Sequence, residues 1–232
     1  MEFRNTEVWG FEHSMRGMRN PMNSWDKSDS GLCKGGNDGI GCENCALQGT
    51  CTHTYDKTYK IGKNDMGLAQ RLLKAGNEHA KFMRMIHVSV DVDMPRYWWS
   101  EADTYHFGVK NSCSTMHRLL NTNTPITADL FLCSDEDLDV MEEVIARLEK
   151  LRIEYKKIQA TTKDGDQMNR LLIRAKRLLP EGFLQMRTWD TNYAEIRNMY
   201  MQRKHHRLKE EWIDVFCNWA ESLPYANELI MY

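Results

Sequence analysis

LPEGFLQMRTWDTNYAEIRNMYMQR, residues 179–203, is the stretch on which the reading turns. A helix carrying Leu171, Leu172 and Leu178 is predicted to stop at or just before Pro180, because proline lacks the N–H a helix needs and clashes with the preceding turn. A new helix is predicted from about Asn192, whose short amide side chain suits an N-cap. Ile196, Met199 and Tyr200 share one face of it, and Arg203 falls on that same apolar face. A guanidinium turned inward requires an anionic partner, since an unpaired buried charge is very unfavourable. Two partners remain open: an internal carboxylate, such as Glu210 or Glu211, or a phosphate brought by a ligand. Asn192 is a cap first and a contact second, because the free amides of a helix start also favour anions.

Working outward, a last helix is expected over roughly 207–221, ending before Pro224. Upstream, residues 135–160 place Leu138, Val144, Ile145, Leu148 and Leu151 among many charges, the pattern of an amphipathic helix capped near Ser134 or Asp135. Asp164-Gly165-Asp166 breaks it. Ile86, Val88, Val90 and Val92 alternate with His87, Ser89 and Asp91, a period of two that marks a half-buried strand stopped by Pro95. A helix starting near Asn64 or Asp65 presents Met66, Leu68, Ala69, Leu72 and Leu73 and ends at Gly76. Residues 1–30 mix aromatics with Arg16 and Arg19 and pass into turn signals around Pro21 and Asp26–Ser30. Residues 31–62, rich in glycine and cysteine, read as an irregular lobe. The outline is α+β: one domain over 1–232 with a small sheet, several long helices and a Cys-rich insert at about 31–62.

The 232 residues carry 31 Lys plus Arg against 33 Asp plus Glu, a net charge of −2. That balance speaks against bulk nucleic acid as a partner. The basic run Arg203–Arg207 is read as cations at a helix C-terminus. No apolar run approaches the ~20 residues of a membrane span. The N-terminal MEFRNTEVWGFEH lacks a secretory pattern, so a cytoplasmic location is expected.

Seven cysteines, an odd number, argue against a disulfide framework. Four of them read Cys33-x8-Cys42-x2-Cys45-x5-Cys51. Such a set suits a structural zinc and would equally ligate an iron–sulfur cluster; the remaining alternative is that it holds nothing and stays as free thiols. Four thiolates would leave no open position for catalysis. The segment Asn111-Ser112-Cys113-Ser114-Thr115-Met116-His117 is hydroxyl-rich, either a phosphate cradle or a solvated turn. Within it Cys113 is read as inert, and Trp98-Trp99 as core.

The order of these features resembles the flavin-dependent thymidylate synthases (thymidylate synthase complementing proteins) along most of the chain. Met15-Arg16-Gly17-Met18-Arg19 with Ser24 is similar to the family's early Val-Arg-Ala-Ala-Arg-x-Ser. Glu78-His79 leading to Phe82 looks like its Glu-His-x-x-Phe step. Arg96-Tyr97-Trp98-Trp99 resembles the Arg-Gln-Trp-Phe that enters its Arg-His-Arg signature, and Asn111–His117 the segment that closes it. Leu179-Pro180, Trp189, Asn192 and Arg203 match the spacing of the C-terminal half without a gap.

The resemblance implies a small antiparallel sheet with a long-helix bundle, assembled as a homotetramer. It implies methyl transfer to C5 of dUMP with FAD, NADPH and methylenetetrahydrofolate. Arg203, Ser114, Lys176 and Arg19 would hold the pyrimidine nucleotide. His79 and Asn192 would face FAD, and Glu101 is a candidate replacement group on the cofactor side. The departures are specific: the Arg-His-Arg signature falls on Ser100-Glu101-Ala102, its later Arg on Met116, and an insertion occupies Asp103–Lys110. The expectation is therefore an enzyme of pyrimidine nucleotide metabolism or, in the alternative, a non-catalytic nucleotide-binding or interaction protein that kept the fold.

Overall fold

The computed structural model describes residues 1–33, 44–48 and 59–232. The chain opens with β1 (Glu2–Trp9) and α1 (Phe11–Arg19), followed by β2 (Gly31–Leu32) and β3 (Tyr59–Lys60). Then come α2 (Lys63–Ala75), β4 (His87–Pro95), α3 (Arg96–Ala102), β5 (Val109–Ser112) and α4 (Thr115–Arg118). A long hairpin of α5 (Leu138–Ala160) and α6 (Gly165–Leu178) precedes β6 (Leu184–Asn192) and α7 (Tyr193–Arg203). A π-helix over Lys209–Cys217 runs into α8 (Asn218–Glu221), and a shorter π turn covers Ala226–Ile230. The main sheet is small and antiparallel, in the order β1-β4-β6-β5. β2 and β3 form a separate antiparallel pair, Gly31 opposite Lys60 and Leu32 opposite Tyr59.

The fold class is α+β as the sequence implies. The strand expected from the valine alternation is β4, whose even positions Val88, Val90, Val92 and Met94 are buried. It includes Pro95 as its last residue. The α5–α6 turn forms where Asp164-Gly165-Asp166 predicts a break, with Asp164 Oδ1 accepting from Gln167 N at 3.0 Å. Asn192 caps α7 through Oδ1, which accepts from Glu195 N at 3.1 Å. The last helix differs from expectation: most of residues 209–221 winds as π-helix, burying Glu211, Trp212, Phe216 and Cys217.

The start of α2 also differs. Neither Asn64 nor Asp65 caps it. The cap comes from Asp29, whose carboxylate accepts from Asn64 N at 2.8 Å and Asp65 N at 3.0 Å. Gly62 makes this approach possible, because a Cβ there would lie 2.2 Å from the Asp29 carboxyl carbon. Asp65 is occupied elsewhere: fully buried, it accepts from Arg19 Nε at 2.5 Å, Ser28 Oγ at 2.6 Å and Ser30 Oγ at 2.5 Å.

The chain divides into two compact units. The first comprises residues 1–2, 92–104 and 110–188. Its helical core gathers Leu148, Leu151 and Ile158 of α5 with Leu171 and Ala175 of α6, closed by Leu119, Ile126, Phe131 and Leu179. The second comprises residues 3–91, 105–109 and 189–232. In it, α1 and α7 both pack on a 3₁₀ turn, Ala80–Met85, and bury Met15, Met18, Phe82, Met83, Ile196 and Met199. No described helix is long and apolar enough to cross a membrane.

Candidate functional site

In the first unit, Ser114 stands at the N-cap of α4 and Thr115 begins the helix, with Thr115 buried. From α6, Lys176 Nζ donates to Thr115 Oγ1 at 2.5 Å, joining residues 61 apart in sequence. Lys176 and Ser114, both expected to contact a nucleotide, are thus brought to neighbouring positions by α4 and α6. Burial pushes the Lys176 ammonium below the ordinary lysine range; the nearby Arg96 guanidinium pushes the same way and Glu181 opposes it. Arg96 itself pairs with Glu181 at 3.1 Å and donates to Leu179 O at 3.4 Å. Two cations, Lys176 and Arg96, and the carboxylate of Glu181 thus share this place. An apolar pocket of 210 Å³ adjoins it, lined among others by Cys113, Ser114, Thr115, Leu119 and Phe183.

Ser100, Glu101 and Ala102 form the second half of α3. Ser100 is exposed, with Oγ donating to Arg96 O at 3.2 Å, and Ala102 is buried. Glu101 shares this helix. Cations do approach the end of α3 from other elements. Arg187 of β6 lies over the Trp99 ring at 4.3 Å and donates to both Asp103 oxygens at 3.1 and 3.0 Å. Lys110 of β5 contacts Asp103 at 3.1 Å and Ala102 O at 3.2 Å.

In the second unit, Asn192 lines a polar cleft of 340 Å³ together with Asn77, Arg84, Phe107, Arg197 and Asn198. The cap occupies Asn192 Oδ1, so what this side chain retains for a ligand is its Nδ2 donor. Arg84 stacks on the Phe107 ring at 5.3 Å. Phe107 is held from behind: Thr191 Oγ1 donates to its carbonyl at 2.8 Å. The following Gly108 lies so close to Trp189 that a Cβ would meet Nε1 at 2.5 Å. Arg197 is partly withdrawn from the cleft, donating to Ile230 O at 2.8 Å and Tyr232 O at 3.1 Å, and burial lowers its pKa. His79 is exposed and precedes Ala80, which belongs to the lining.

Arg203 is the last residue of α7. Its Nε donates to Tyr105 Oη at 2.9 Å, its NH1 lies 2.9 Å from His206 Nε2, and Trp212 covers the guanidinium at 4.4 Å. Arg19 sits on the other side of this unit's sequence order, in α1, and is buried. Its Nε meets Asp65, and its NH1 donates to Ser24 O at 3.1 Å. Of the four cysteines, Cys33 follows β2 and Cys45 pairs by an isolated bridge with Gly62, whereas Cys42 and Cys51 lie outside the described residues. Among the described residues, no group of three or more His, Cys, Asp or Glu is placed to hold a metal.

Sequence reasoning missed Arg84, Phe107, Arg197 and Asn198 in the cleft, and Tyr105, His206 and Trp212 around Arg203. Asn198 and Arg197 had a usable signal, both lying within two turns of Asn192 on the same helix. Arg84 and Phe107 had none, since a turn and an inserted loop bring them in.

No protein-family model matches the sequence, and no curated protein matches it. Solved structures do. One is flavin-dependent thymidylate synthase ThyX from Helicobacter pylori complexed with FAD and dUMP, 16% identical, with TM-score 0.64. The match covers 99% of this chain and 98% of that one. The fold is that of the flavin-dependent thymidylate synthases. A second structure of Helicobacter pylori ThyX with FAD and dUMP matches at 15% identity and TM-score 0.63, covering 99% of this chain and 97% of that one.

Proposed function

We propose that this chain acts in pyrimidine nucleotide metabolism, as a flavin-dependent thymidylate synthase-like enzyme that transfers a one-carbon unit to C5 of dUMP or a related nucleotide. The observation that carries the reading is the Lys176–Thr115 contact beside Ser114. A desolvated ammonium with a second cation nearby, next to hydroxyls at a helix start, is an anion site by its chemistry. It is reached from residues that the family resemblance selects independently. Arg203 and Arg19, each described within the second unit, are proposed as nucleotide contacts on the resemblance alone.

FAD fits the residues of the polar cleft. A flavin ring needs hydrogen-bond donors for its carbonyls and an aromatic or apolar face, and its diphosphate needs a cation. Asn192 Nδ2, the Phe107 ring and Arg84 supply these types; His79 and Glu101 are further proposed cofactor contacts. When bound, the flavin supplies hydride chemistry that spares the protein a cysteine nucleophile. This chain's residues bind and orient. Lys176 and Ser114 fix the nucleotide, and Asn192 presents a donor whose position is set by its own cap. NADPH and methylenetetrahydrofolate complete the proposed reaction, and a homotetramer is the proposed assembly.

Calorimetry with dUMP tests the reading. Lys176→Met removes one charge-assisted contact, about 1.5–3 kcal/mol, and should weaken dUMP roughly 10- to 150-fold. Unchanged affinity in that variant would sink the assignment. A second reading, a binding protein that kept the fold without the chemistry, is favoured by one feature: α3 bears Ser100-Glu101-Ala102 where the family has its cationic signature. Protein that binds dUMP but shows no flavin absorbance after incubation with FAD would select it. A zinc on Cys33, Cys42, Cys45 and Cys51 is proposed as structural, with about one zinc per chain expected by elemental analysis.

A further inference from the structure

Arg118 is the fourth residue after Ser114, one turn along α4. Ser114, Thr115 and Arg118 all line the apolar pocket of 210 Å³, whereas Met116 and His117 between them do not. The backbone beneath the arginine is fixed. Arg118 N donates to Ser114 O at 3.0 Å, Leu119 N donates to Thr115 O at 3.2 Å, and Leu119 and Leu120 are buried in the helical core. Arg118 itself is exposed, and among the described residues its guanidinium has no hydrogen bond and no ion pair.

The charges around Thr115 leave a place for it. Arg96 is balanced by Glu181 at 3.1 Å. Lys176 donates to a neutral hydroxyl, Thr115 Oγ1, at 2.5 Å. Asp93, a carboxylate of the same lining, is engaged by a contact of its own. A phosphate monoester carries about −1.5 to −2 charges at neutral pH. Lys176 alone would leave close to half of that uncompensated in a partly desolvated place, which is unfavourable. Arg118 brings a second positive charge from α4 while Lys176 acts from α6, and the two helices pack on each other. Its planar guanidinium also suits two phosphate oxygens at once.

We propose that Arg118 is a further phosphate-binding residue, its guanidinium and the Lys176 ammonium together holding one dianionic phosphate monoester. This deepens the proposed function, resting on its reading of Lys176 and Ser114 as nucleotide contacts.

The experiment is calorimetry on the full chain with two ligands, dUMP and its methyl ester, in which the phosphate keeps one negative charge. The wild type should bind dUMP more tightly than the ester. Arg118→Met should weaken dUMP about 10- to 100-fold and the ester less, narrowing the gap between the two. Arg118→Lys, which restores the charge without the planar fork, should recover part of the loss. Both variants should melt as the wild type does, since the guanidinium has no partner among the described residues. Equal weakening of dUMP and ester, or a melting temperature lowered in step with affinity, marks a structural role and overturns the proposal. Wild-type affinity for dUMP in Arg118→Met, alongside a loss in Lys176→Met, refutes the role of Arg118 while leaving the proposed function standing. A wild-type chain that binds neither ligand removes the nucleotide reading and this inference with it.

Discussion

Replacing Asp65 with alanine should be among the most damaging single changes in the second unit. Its carboxylate is fully buried and takes three donors: Arg19 Nε at 2.5 Å, Ser28 Oγ at 2.6 Å and Ser30 Oγ at 2.5 Å. The Arg19 side chain is only 6% exposed. Asp65→Ala thus leaves a buried guanidinium without its carboxylate, a loss of about 3–5 kcal/mol. The two serines lie where water can replace the lost acceptor, so they add well under ~1 kcal/mol each. A total near ~4 kcal/mol corresponds to a fall in Tm of roughly 8–16 °C for a chain of this size. Thermal melts and urea titrations followed by far-ultraviolet circular dichroism would measure it. The decisive comparison is Arg19→Met/Asp65→Ala. With both charges gone, the second substitution should restore part of the loss, giving a coupling of about 2–3 kcal/mol. An Asp65→Ala loss below about 1 kcal/mol, or strict additivity in the double variant, would refute the account of Asp65 as the anchor of this region.

Further substitutions and titrations test single features. Asn192→Ala should lower stability by about 0.5–2 kcal/mol through loss of the α7 cap. Asn192→Asp should keep the cap but remove the Nδ2 donor, so a drop in FAD affinity with normal melting would separate its two roles. Tyr200, whose hydroxyl donates to Glu221 at 2.7 Å, has its pKa raised to about 12 by burial, with the Glu221 hydrogen bond adding to the rise. Its folded-state pKa lies above the unfolded value of about 10. Its contribution is therefore complete below pH ~10 and disappears as pH climbs through 12; in Tyr200→Phe the alkaline loss of stability over that window should shrink. Burial, aided by Glu221, raises the Cys217 thiol to about 11. Iodoacetamide at pH 8 should modify Cys113 and Cys133, which are partly exposed, well before Cys217; equal labelling would contradict that environment.

How far the fold could be read in advance depended on whether a local pattern and the tertiary packing agreed. β4 was legible because the same alternation that builds the strand also buries it, Val88 to Met94. The α5–α6 hairpin was legible because Asp164 is both the break in the pattern and the physical cap. β6 was not read as a strand, although Thr188, Trp189, Asp190 and Thr191 alternate exposed and buried. Pro180 and Asn192 on either side of it are a helix stop and a helix start, and neither signals a strand. The start of α2 could not be found locally at all: its cap is Asp29, and nothing near residues 62–65 signals a carboxylate from 36 positions away.

The site separates in the same way. Asn192 and Arg203 belong to one helix whose start and apolar face are both written in sequence, so their positions follow from local rules. Their partners do not. Tyr105 and Phe107 come from a short segment between α3 and β5, and Trp212 from a helix whose π winding no 3.6-residue pattern anticipates. This matters for Arg203, because the partner expected from periodicity was either a carboxylate or a phosphate. The described geometry adds a third kind of neighbour, the His206 imidazole, 2.9 Å from the guanidinium. Histidine in that place reads from sequence as part of a basic helix end. Its place beside Arg203 comes from the turn after α7, where His206 N donates to Arg203 O at 2.9 Å.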